Sequence, residues 1–156
     1  MELKVIDLGL AEYLSVWNKQ KDILSEVLSN DLSAVLILCQ HYPVITLGRN
    51  ASGSSFKFSF EEIYAKGLKL YPIERGGDVT YHGPGQLTVY PIINLHYFKK
   101  DIHWFLRTLE SLVISTLGDF NLRCVRKEGS TGVWINQGKV SSIGIAIKHW
   151  VTYHGL

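Results

Sequence analysis

The hydrophobic and polar positions of the first half of the chain predict strands around one amphipathic helix. Apolar residues recur at a helical period between residues 10 and 29, which predicts a helix that Asn30-Asp31 ends. Short apolar runs are typical of strands, and they cover residues 4–8, 34–39, 44–47 and 68–73. A polar stretch at 51–55 predicts a loop, and residues 60–66 predict a short helix that Gly67 ends.

The second half predicts one more helix followed by strands. Asp101 is a favourable N-cap, and apolar residues at helical spacing extend from there to Leu117, before the expected stop at Gly118. The buried stripe of this helix is predicted to comprise Ile102, Phe105, Leu106, Leu109, Leu112 and Val113. Strands are predicted at residues 87–93, 122–125, 132–135 and 140–147. Residues 136–138 then form a short hairpin loop in which Gly138 supplies a positive φ.

The order of these elements predicts the fold class. Strands outnumber helices and do not alternate with them, as a doubly wound fold would require. We therefore predict an α+β fold, with a mixed, mostly antiparallel β-sheet and helices packed on one face. No repeat and no linker interrupts the pattern, so residues 1–156 are predicted to form a single domain.

Composition and charge narrow the classes of function. Hydrophobic residues make up 46% and charged residues 19% of the chain, a globular balance, and the net charge of +2 gives no reason to predict a nucleic-acid partner. The start has no signal-peptide pattern, and no stretch approaches the ~20 apolar residues of a membrane span. Cys39 and Cys124 suggest neither a disulfide framework nor a zinc site, so a cytoplasmic location is predicted.

Residues 74–85 form a glycine-rich segment between two predicted strands. A hairpin needs only two to five loop residues, and a longer ordered loop is more often functional. Glycine pairs let the backbone approach a ligand closely, and the spacing differs from that of a phosphate-binding P-loop. A long irregular connection is the alternative interpretation. We predict a ligand-binding loop, to which polar side chains are contributed by Arg75, Thr80, Tyr81 and His82.

Four segments of the chain, taken in order, carry a family resemblance. The most specific is the run Arg75-Gly76-Gly77-Asp78-Val79-Thr80-Tyr81-His82-Gly83-Pro84-Gly85-Gln86-Leu87, followed by Tyr90-Pro91-Ile92. The others are Pro43-Val44-Ile45-Thr46-Leu47-Gly48-Arg49, then Thr131-Gly132-Val133-Trp134-Ile135 with Gly138-Lys139-Val140-Ser141-Ser142-Ile143-Gly144, and Val151-Thr152-Tyr153-His154-Gly155-Leu156. Together they resemble the octanoyl-acyl carrier protein:protein octanoyltransferases, the lipoate-protein ligase B family of the lipoyl/biotin protein ligase superfamily.

The resemblance implies an acyltransferase of lipoate biosynthesis with a biotin/lipoyl protein ligase-like fold. An octanoyl group would arrive as a thioester on acyl carrier protein, move to an enzyme cysteine and pass to a lysine of a lipoyl domain. The implied acceptors are the lipoyl domains of 2-oxoacid dehydrogenases and the glycine cleavage H protein. A thiolate exchanges readily with a thioester. Conversion of thioester to amide is downhill, so the resemblance implies no ATP, cofactor or metal. The small net charge and the lack of a long apolar stretch predict no nucleic-acid and no membrane partner.

The resemblance also implies which residues form the site. Lys139 corresponds to the catalytic lysine, whose ammonium lowers the pKa of the cysteine and moves protons. Without the resemblance, a lysine just after a hairpin turn would be taken for a surface residue. His82 and His154 are candidates for lining the site, His82 first. The implied substrate-binding residues are Arg75, Gly76, Gly77, Asp78, Val79, Thr80, Tyr81, His82, Ser142, Ile143, Gly144, Gly155 and Leu156.

The cysteines depart from the family pattern. The family's nucleophile lies in a P-C-G segment beyond the V-T-x-H-G segment, and no cysteine follows Lys139 here. Cys39 and Cys124 do not match that position, and both are expected to be buried, inert thiols. A truncated gene product, a segment supplied by another polypeptide, and acyl binding without transfer all remain open.

Three functions are therefore compared. The first is the octanoyltransferase, whose C-terminal part the chain is expected to lack. The second is a catalytically inactive acyl- or carrier-binding domain without the nucleophile. The third is an ATP-dependent lipoate ligase, which the H-G-P-G-Q run and the T-G-V-W hairpin disfavour.

Overall fold

A computed structural model describes residues 3–29 and 34–156 of the chain. Its strands are β1 (Leu3–Ala11), β2 (Ala34–His41), β3 (Val44–Leu47), β4 (Lys69–Pro72), β5 (Val79–His82), β6 (Thr88–Ile93), β7 (Val133–Ile135), β8 (Gly138–Ser141), β9 (Gly144–Lys148) and β10 (Val151–Gly155). Its helices are α1 (Tyr13–Leu28), α2 (Phe60–Ala65) and α3 (Ile102–Gly118), with short 3-10 turns at Gly53–Ser55 and Leu95–Tyr97. None of the described helices is long and apolar enough to cross a membrane.

The strands form a mixed arrangement that is mostly antiparallel. In the first sheet β1 runs parallel to β2, and β2 runs antiparallel to β6. The antiparallel pair β9–β10 lies beside it, because Val89 and Leu156 exchange backbone hydrogen bonds of 2.7 and 3.0 Å. In the second sheet β3 lies between β4, which is parallel to it, and the antiparallel β5. β7 and β8 form a hairpin. The predicted mixed, mostly antiparallel α+β class is confirmed.

The two long helices pack against opposite faces of the strands rather than against one. The apolar face of α1 packs on a cluster that includes Ile92 of β6 and Ala146 of β9. Phe105 and Leu109 of α3 instead pack with Ile145, the neighbour of Ala146. Successive side chains of a strand point to opposite faces, so the two helices enclose the strands from both sides. The prediction of helices on a single face is therefore wrong.

Several predicted elements have different limits in the structure. The first helix begins at Tyr13 because Leu10 still belongs to β1, and the predicted stop at Asn30-Asp31 lies outside the described residues. The predicted strand at 122–125 is reduced to a single bridge between Val125 and Trp134. The predicted strand at 140–147 is divided between β8 and β9. In the hairpin, the positive φ of 53° is at Asn136 and not at Gly138.

The α3 helix follows its predicted limits closely but buries a narrower stripe. Asp101 caps the N-terminus by accepting a 3.0 Å hydrogen bond from the backbone N–H of Trp104. Phe105 and Leu109 are buried, whereas Ile102 and Leu112 are exposed. The third buried position is the charged residue Glu110, which the apolar pattern did not single out.

Candidate active site

A cavity of about 160 Å³ lies where the glycine-rich segment meets β8, β9 and β10. The first sheet contributes Thr88 and Tyr90 to its wall, the second sheet contributes Thr80 and His82, and α1 contributes its first residue, Tyr13. Its lining comprises Tyr13, Ile73, Arg75, Gly76, Gly77, Asp78, Val79, Thr80, His82, Thr88, Tyr90, Lys139, Ser142, Ile143, Gly144, His154, Gly155 and Leu156.

The glycine-rich segment is held against β9 by direct backbone contact. The N–H of Gly76 donates to the carbonyl oxygen of Ile145 at 2.9 Å. A Cβ on Gly144 would stand 2.8 Å from the carbonyl oxygen of Gly76, and a Cβ on Gly48 would collide with the carbonyl oxygen of Gly77. Since real Cβ atoms do not approach oxygen so closely, glycine at both positions is what lets these three chain segments meet.

The segment contains a strand that the sequence did not predict. Residues 74–85 were predicted to be an uninterrupted loop, yet Val79–His82 forms β5 and pairs with β3. Because side chains alternate along a strand, Thr80 and His82 face the cavity and Tyr81 faces outward. Tyr81 is 52% exposed and is the predicted site residue that does not line the cavity.

Arg75 places a buried positive charge in the cavity wall. Its Nη2 donates to the carbonyl oxygen of Thr46 at 3.0 Å and to the hydroxyl oxygens of Thr46 and Thr80, both at 2.9 Å. Its Nη1 donates to the carbonyl oxygen of Gly76 at 3.0 Å. Burial lowers the pKa of Arg75, but arginine remains charged at neutral pH. The wall thus favours an anionic oxygen or sulfur nearby.

Lys139 reaches the cavity across a glycine. Its Nζ lies 5.0 Å from the centre of the Trp134 ring. Gly132, at φ +136°, lies directly beneath the side chain: a Cβ there would collide with Lys139 Cε and stand 2.6 Å from the carbonyl oxygen of Ser141. Burial lowers the pKa of Lys139, and the charge of Glu110 partly opposes that shift. The pKa of this amine is consequently closer to neutral pH than that of an ordinary lysine, which suits the amine to proton transfer.

A second cavity of about 150 Å³ adjoins the first at the same lysine. Gln86, Leu87 and Val140 line only this cavity, whereas Lys139 and Ser142 line both. Lys139 is exposed overall, so it lies at the outer rim of the first cavity, between two spaces that each have room for a small group.

Glu110 positions the glycine beneath Lys139. This fully buried carboxylate accepts the N–H of Gly132 at 3.0 Å, and its other oxygen accepts Arg107 Nη1 at 2.7 Å and Arg126 Nε at 2.9 Å. Burial raises the pKa of Glu110, but the Gly132 hydrogen bond and the two guanidinium groups outweigh it, so the net shift is downward. Glu110 is therefore charged at neutral pH and connects α3 to the lysine hairpin.

His154 brings a neutral imidazole to the inner wall. Its Nε2 lies 3.1 Å from a Glu74 carboxylate oxygen, and its backbone N–H donates to Gln20 Oε1 at 2.9 Å. Burial lowers the pKa of His154 to about 4, even though the Glu74 carboxylate acts in the opposite direction. At neutral pH the ring is uncharged, with Nε2–H donating to Glu74 and Nδ1 left as an acceptor.

The remaining inner wall is aromatic and uncharged. Burial lowers the pKa of His82 to about 4, and its Nδ1 lies 2.6 Å from Gln86 Oε1. His82 stacks on Tyr13 with ring centres 6.2 Å apart. Below them His41 donates from Nδ1 to a backbone carbonyl, and its Nε2 accepts the Tyr90 hydroxyl at 2.8 Å. The Cys39 sulfur lies 3.5 Å from the same Nε2, so the Tyr90 hydroxyl at 2.8 Å is the closer and stronger donor. The Tyr90 proton is therefore assigned to His41, which leaves its oxygen lone pairs as acceptors.

Comparison with known proteins assigns the chain to a family. Residues 12–156 match the model of the lipoyl protein ligase A/B catalytic domain. The chain belongs to this family. Within it, the octanoyltransferase of Pelobacter propionicus is 43% identical, with 96% of this chain and 68% of the relative covered. The octanoyltransferase of Gloeobacter violaceus is 41% identical, with 97% and 66% covered. The chain spans about two thirds of the length of these relatives.

A plant relative and two solved structures extend the comparison. The chloroplastic octanoyltransferase LIP2p2 of Arabidopsis thaliana is 44% identical, with 94% of this chain and 54% of the relative covered. Among solved structures, lipoate-protein ligase A bound with ATP has a TM-score of 0.75 at 15% identity, covering 99% of this chain and 66% of that one. The bi-partite lipoate protein ligase of Thermoplasma acidophilum has a TM-score of 0.73 at 17% identity, with 99% and 60% covered. These structures confirm the lipoyl ligase-like fold.

Sequence reasoning about this family member missed several residues of the cavity. Tyr13, Thr88 and Tyr90 line its inner part, but they lie in segments whose apolar pattern predicts only core packing. Glu110 and Glu74, which hold the lysine hairpin and His154, were also missed. A carboxylate within the apolar stripe of α3 is the sequence signal that could have identified Glu110.

Neither cysteine is a candidate for the site chemistry. Cys39 is buried in the α1 core, and burial raises its pKa to about 12. Cys124 is partly exposed, so the expectation that it is buried is wrong. Neither residue lines the cavity. Within the described ranges, the reactive thiol that the family resemblance implies has no counterpart.

Proposed function

We propose that this domain, residues 1–156, acts in lipoate biosynthesis as the acyl-binding and proton-transferring part of an octanoyltransferase. The observation that carries the proposal is that Lys139 and the glycine-rich segment line one cavity, although they are more than 50 residues apart in the chain. An ordinary surface lysine would lie apart from that segment. Similarity to octanoyltransferases over nearly the whole chain supports the octanoyl group as substrate.

Each wall of the cavity has a part in the proposed binding. Ile73 and Ile143 provide apolar contacts for an alkyl chain. The bare backbone at Gly76 and Gly77 lets that chain lie close to the segment. The Arg75 charge favours the oxygen of a thioester as negative charge develops on it.

The proposed reaction has two acyl transfers. A cysteine thiol gives its proton to the Lys139 amine, and the thiolate attacks the carbonyl carbon of octanoyl-acyl carrier protein. The carbon–sulfur bond to the carrier breaks, and the carrier thiolate leaves and takes up a proton. The amine of a lipoyl-domain lysine then attacks the acyl-cysteine, an amide forms, and the cysteine thiol is released. The lowered pKa of Lys139 suits it to hold and return the proton.

The proposed partners follow from this reaction. The donor is octanoyl-acyl carrier protein, and the acceptors are lipoyl domains of 2-oxoacid dehydrogenases and the glycine cleavage H protein. Because Cys39 and Cys124 lie outside the cavity, the proposed thiol comes from outside residues 1–156. An acyl-binding domain that does not catalyse transfer is the second candidate, and the position of the two cysteines is the observation that favours it. The cytoplasmic location remains part of the proposal.

The experiment that tests the proposal mixes the protein with a separately supplied polypeptide segment that carries the cysteine thiol, with octanoyl-acyl carrier protein and with a lipoyl domain. Intact mass spectrometry follows the masses of all components, and calorimetry measures binding of the octanoyl donor. The key variant is Lys139→Met. Lys127→Met is the matched control, since Lys127 lies 5.6 Å from the same Trp134 ring but does not line the cavity.

Four outcomes are distinguishable in this experiment. Octanoylation of the lipoyl domain that Lys139→Met abolishes and Lys127→Met preserves supports the transferase. Binding of the octanoyl donor without any transfer supports the acyl-binding domain instead. Transfer that depends on ATP would indicate a lipoate ligase, and failure to bind the donor at all would overturn the acyl site itself.

A further inference from the structure

The inner end of the cavity carries polar atoms that no described residue satisfies. Tyr13 Oη, Thr88 Oγ1 and His154 Nδ1 are buried, make no hydrogen bond within residues 3–29 and 34–156, and belong to residues that line the cavity. These residues are only 2%, 2% and 1% exposed, whereas Lys139 at the other end is exposed. We call these three residues the polar floor.

The chemistry of the polar floor defines what it binds. His154 Nδ1 can only accept, because its Nε2 donates to Glu74. Tyr90, adjacent to the floor, also offers oxygen lone pairs, since its proton goes to His41. The hydroxyls of Tyr13 and Thr88 can both donate and accept. The partner must therefore donate to the imidazole and exchange hydrogen bonds with two hydroxyls, which a water molecule does and an alkyl chain does not.

Buried polar groups in folded proteins are rarely left without partners. Buried waters typically make about three hydrogen bonds to such groups. The polar floor offers three groups in one cavity of about 160 Å³, which has ample room for a water molecule beside a ligand.

We propose that Tyr13, Thr88 and His154 hold ordered water at the inner end of the cavity, and that this hydrated floor limits the length of the acyl chain that the site accepts. The second half of this inference rests on the proposed function. An acyl chain that enters past Lys139 runs along Ile73 and Ile143 toward the floor. A longer chain must displace water, and its methyl terminus cannot replace the lost hydrogen bonds.

The test for length selection compares octanoyl, decanoyl and dodecanoyl amide analogues of pantetheine by isothermal titration calorimetry. The variant is Tyr13→Phe/Thr88→Val, which removes both hydroxyls and nearly preserves side-chain shape. His154 is left unchanged because it also holds Glu74. Tyr64→Phe is the matched control, since Tyr64 is an exposed tyrosine on α2 that does not line the cavity. Thermal melting establishes that each variant is folded.

The quantity compared is the ratio of the affinity for the dodecanoyl probe to the affinity for the octanoyl probe. We expect this ratio to be about tenfold higher in the double variant than in the unaltered protein, and Tyr64→Phe to leave it unchanged. If the probes bind and the ratio does not move, length selection by the floor is overturned while the proposed function stands. If no acyl probe binds the unaltered protein, the proposed function fails as well.

The water itself has a test that does not depend on acyl binding. A high-resolution crystal structure of the protein without ligand should show a water within hydrogen-bonding distance of Tyr13 Oη, Thr88 Oγ1 and His154 Nδ1. A dry floor, or side chains turned to bond with other protein groups, would overturn the inference. This observation also applies if the double variant fails to fold.

Discussion

Replacing Glu110 by glutamine should both destabilise the protein and lower the pKa of Lys139. The amide can still accept the Gly132 N–H, but its NH₂ group then faces the two guanidinium groups that the carboxylate had bound. Removing the negative charge also removes the interaction that raises the pKa of Lys139, so the effect of burial is left unopposed.

The expected loss of stability depends on how far Arg107 and Arg126, the two arginines bound to Glu110, are exposed to water. Hydrogen bonds to charged groups contribute roughly 1.5–3 kcal/mol each. The side chains of Arg107 and Arg126 are 52% and 39% exposed, so water replaces much of what they lose. After that discount we expect Glu110→Gln to reduce the free energy of unfolding by about 2 kcal/mol.

Two measurements check this expectation. Urea denaturation at neutral pH gives the free energy of unfolding, with Glu128→Gln as the control because Glu128 is an exposed carboxylate in the same part of the chain. A ¹³C NMR titration of the lysine side chains, assigned with Lys139→Arg, gives the pKa of Lys139. A loss of stability no larger than that of the control, or a Lys139 pKa that rises, would refute the positioning role of Glu110.

Further predictions concern the glycines and the histidines. Gly132→Ala should reduce the free energy of unfolding by about 3 kcal/mol, because a side chain there is strained at φ +136° and collides with Ser141. Equal urea midpoints for the variant and the unaltered protein would contradict this. His82 and His154 have folded pKa values of about 4, below the unfolded value of 6.5, so their stabilisation is complete above pH 6.5 and is lost toward pH 4. Between pH 7.5 and pH 5, the free energy of unfolding measured in urea should fall by at most about 1.4 kcal/mol per pH unit for each histidine. His82→Gln should reduce this dependence of the free energy of unfolding on pH. Gly77→Val should weaken octanoyl-donor binding in calorimetry while leaving much of the fold, because valine blocks the approach of the ligand and is strained at φ +87°. An unchanged affinity would indicate that the segment only connects two strands.

The apolar pattern of the chain predicts most strands because they are apolar on at least one face. It fails for β5, whose residues Val79–His82 are mostly polar and sit between glycines. That strand forms because β3 offers an antiparallel partner, a tertiary contact that no local pattern contains. The single-face prediction fails for a related reason. Periodicity shows that a helix has an apolar side, but not which side of a sheet receives it.

The lining of the candidate cavity was predictable where it coincides with a contiguous sequence motif. The run from Arg75 to His82 and Lys139 were predicted from sequence, and apart from Tyr81 they share one cavity. Tyr13, Thr88 and Glu110 were not predicted. Tyr13 and Thr88 sit in a helix and a strand whose pattern already explains them as packing, whereas Glu110 is a charged residue beside the apolar stripe of α3. The role of each depends on a partner far away in the chain.

The hydrogen bond from the Gly76 N–H to the Ile145 carbonyl oxygen ties the glycine-rich segment to β9 in the folded chain. Flexible glycine chains lose much conformational entropy when they become ordered. Here that loss occurs as the protein folds, so under the proposed function an acyl chain would meet a surface that is already shaped and does not have to be ordered by binding.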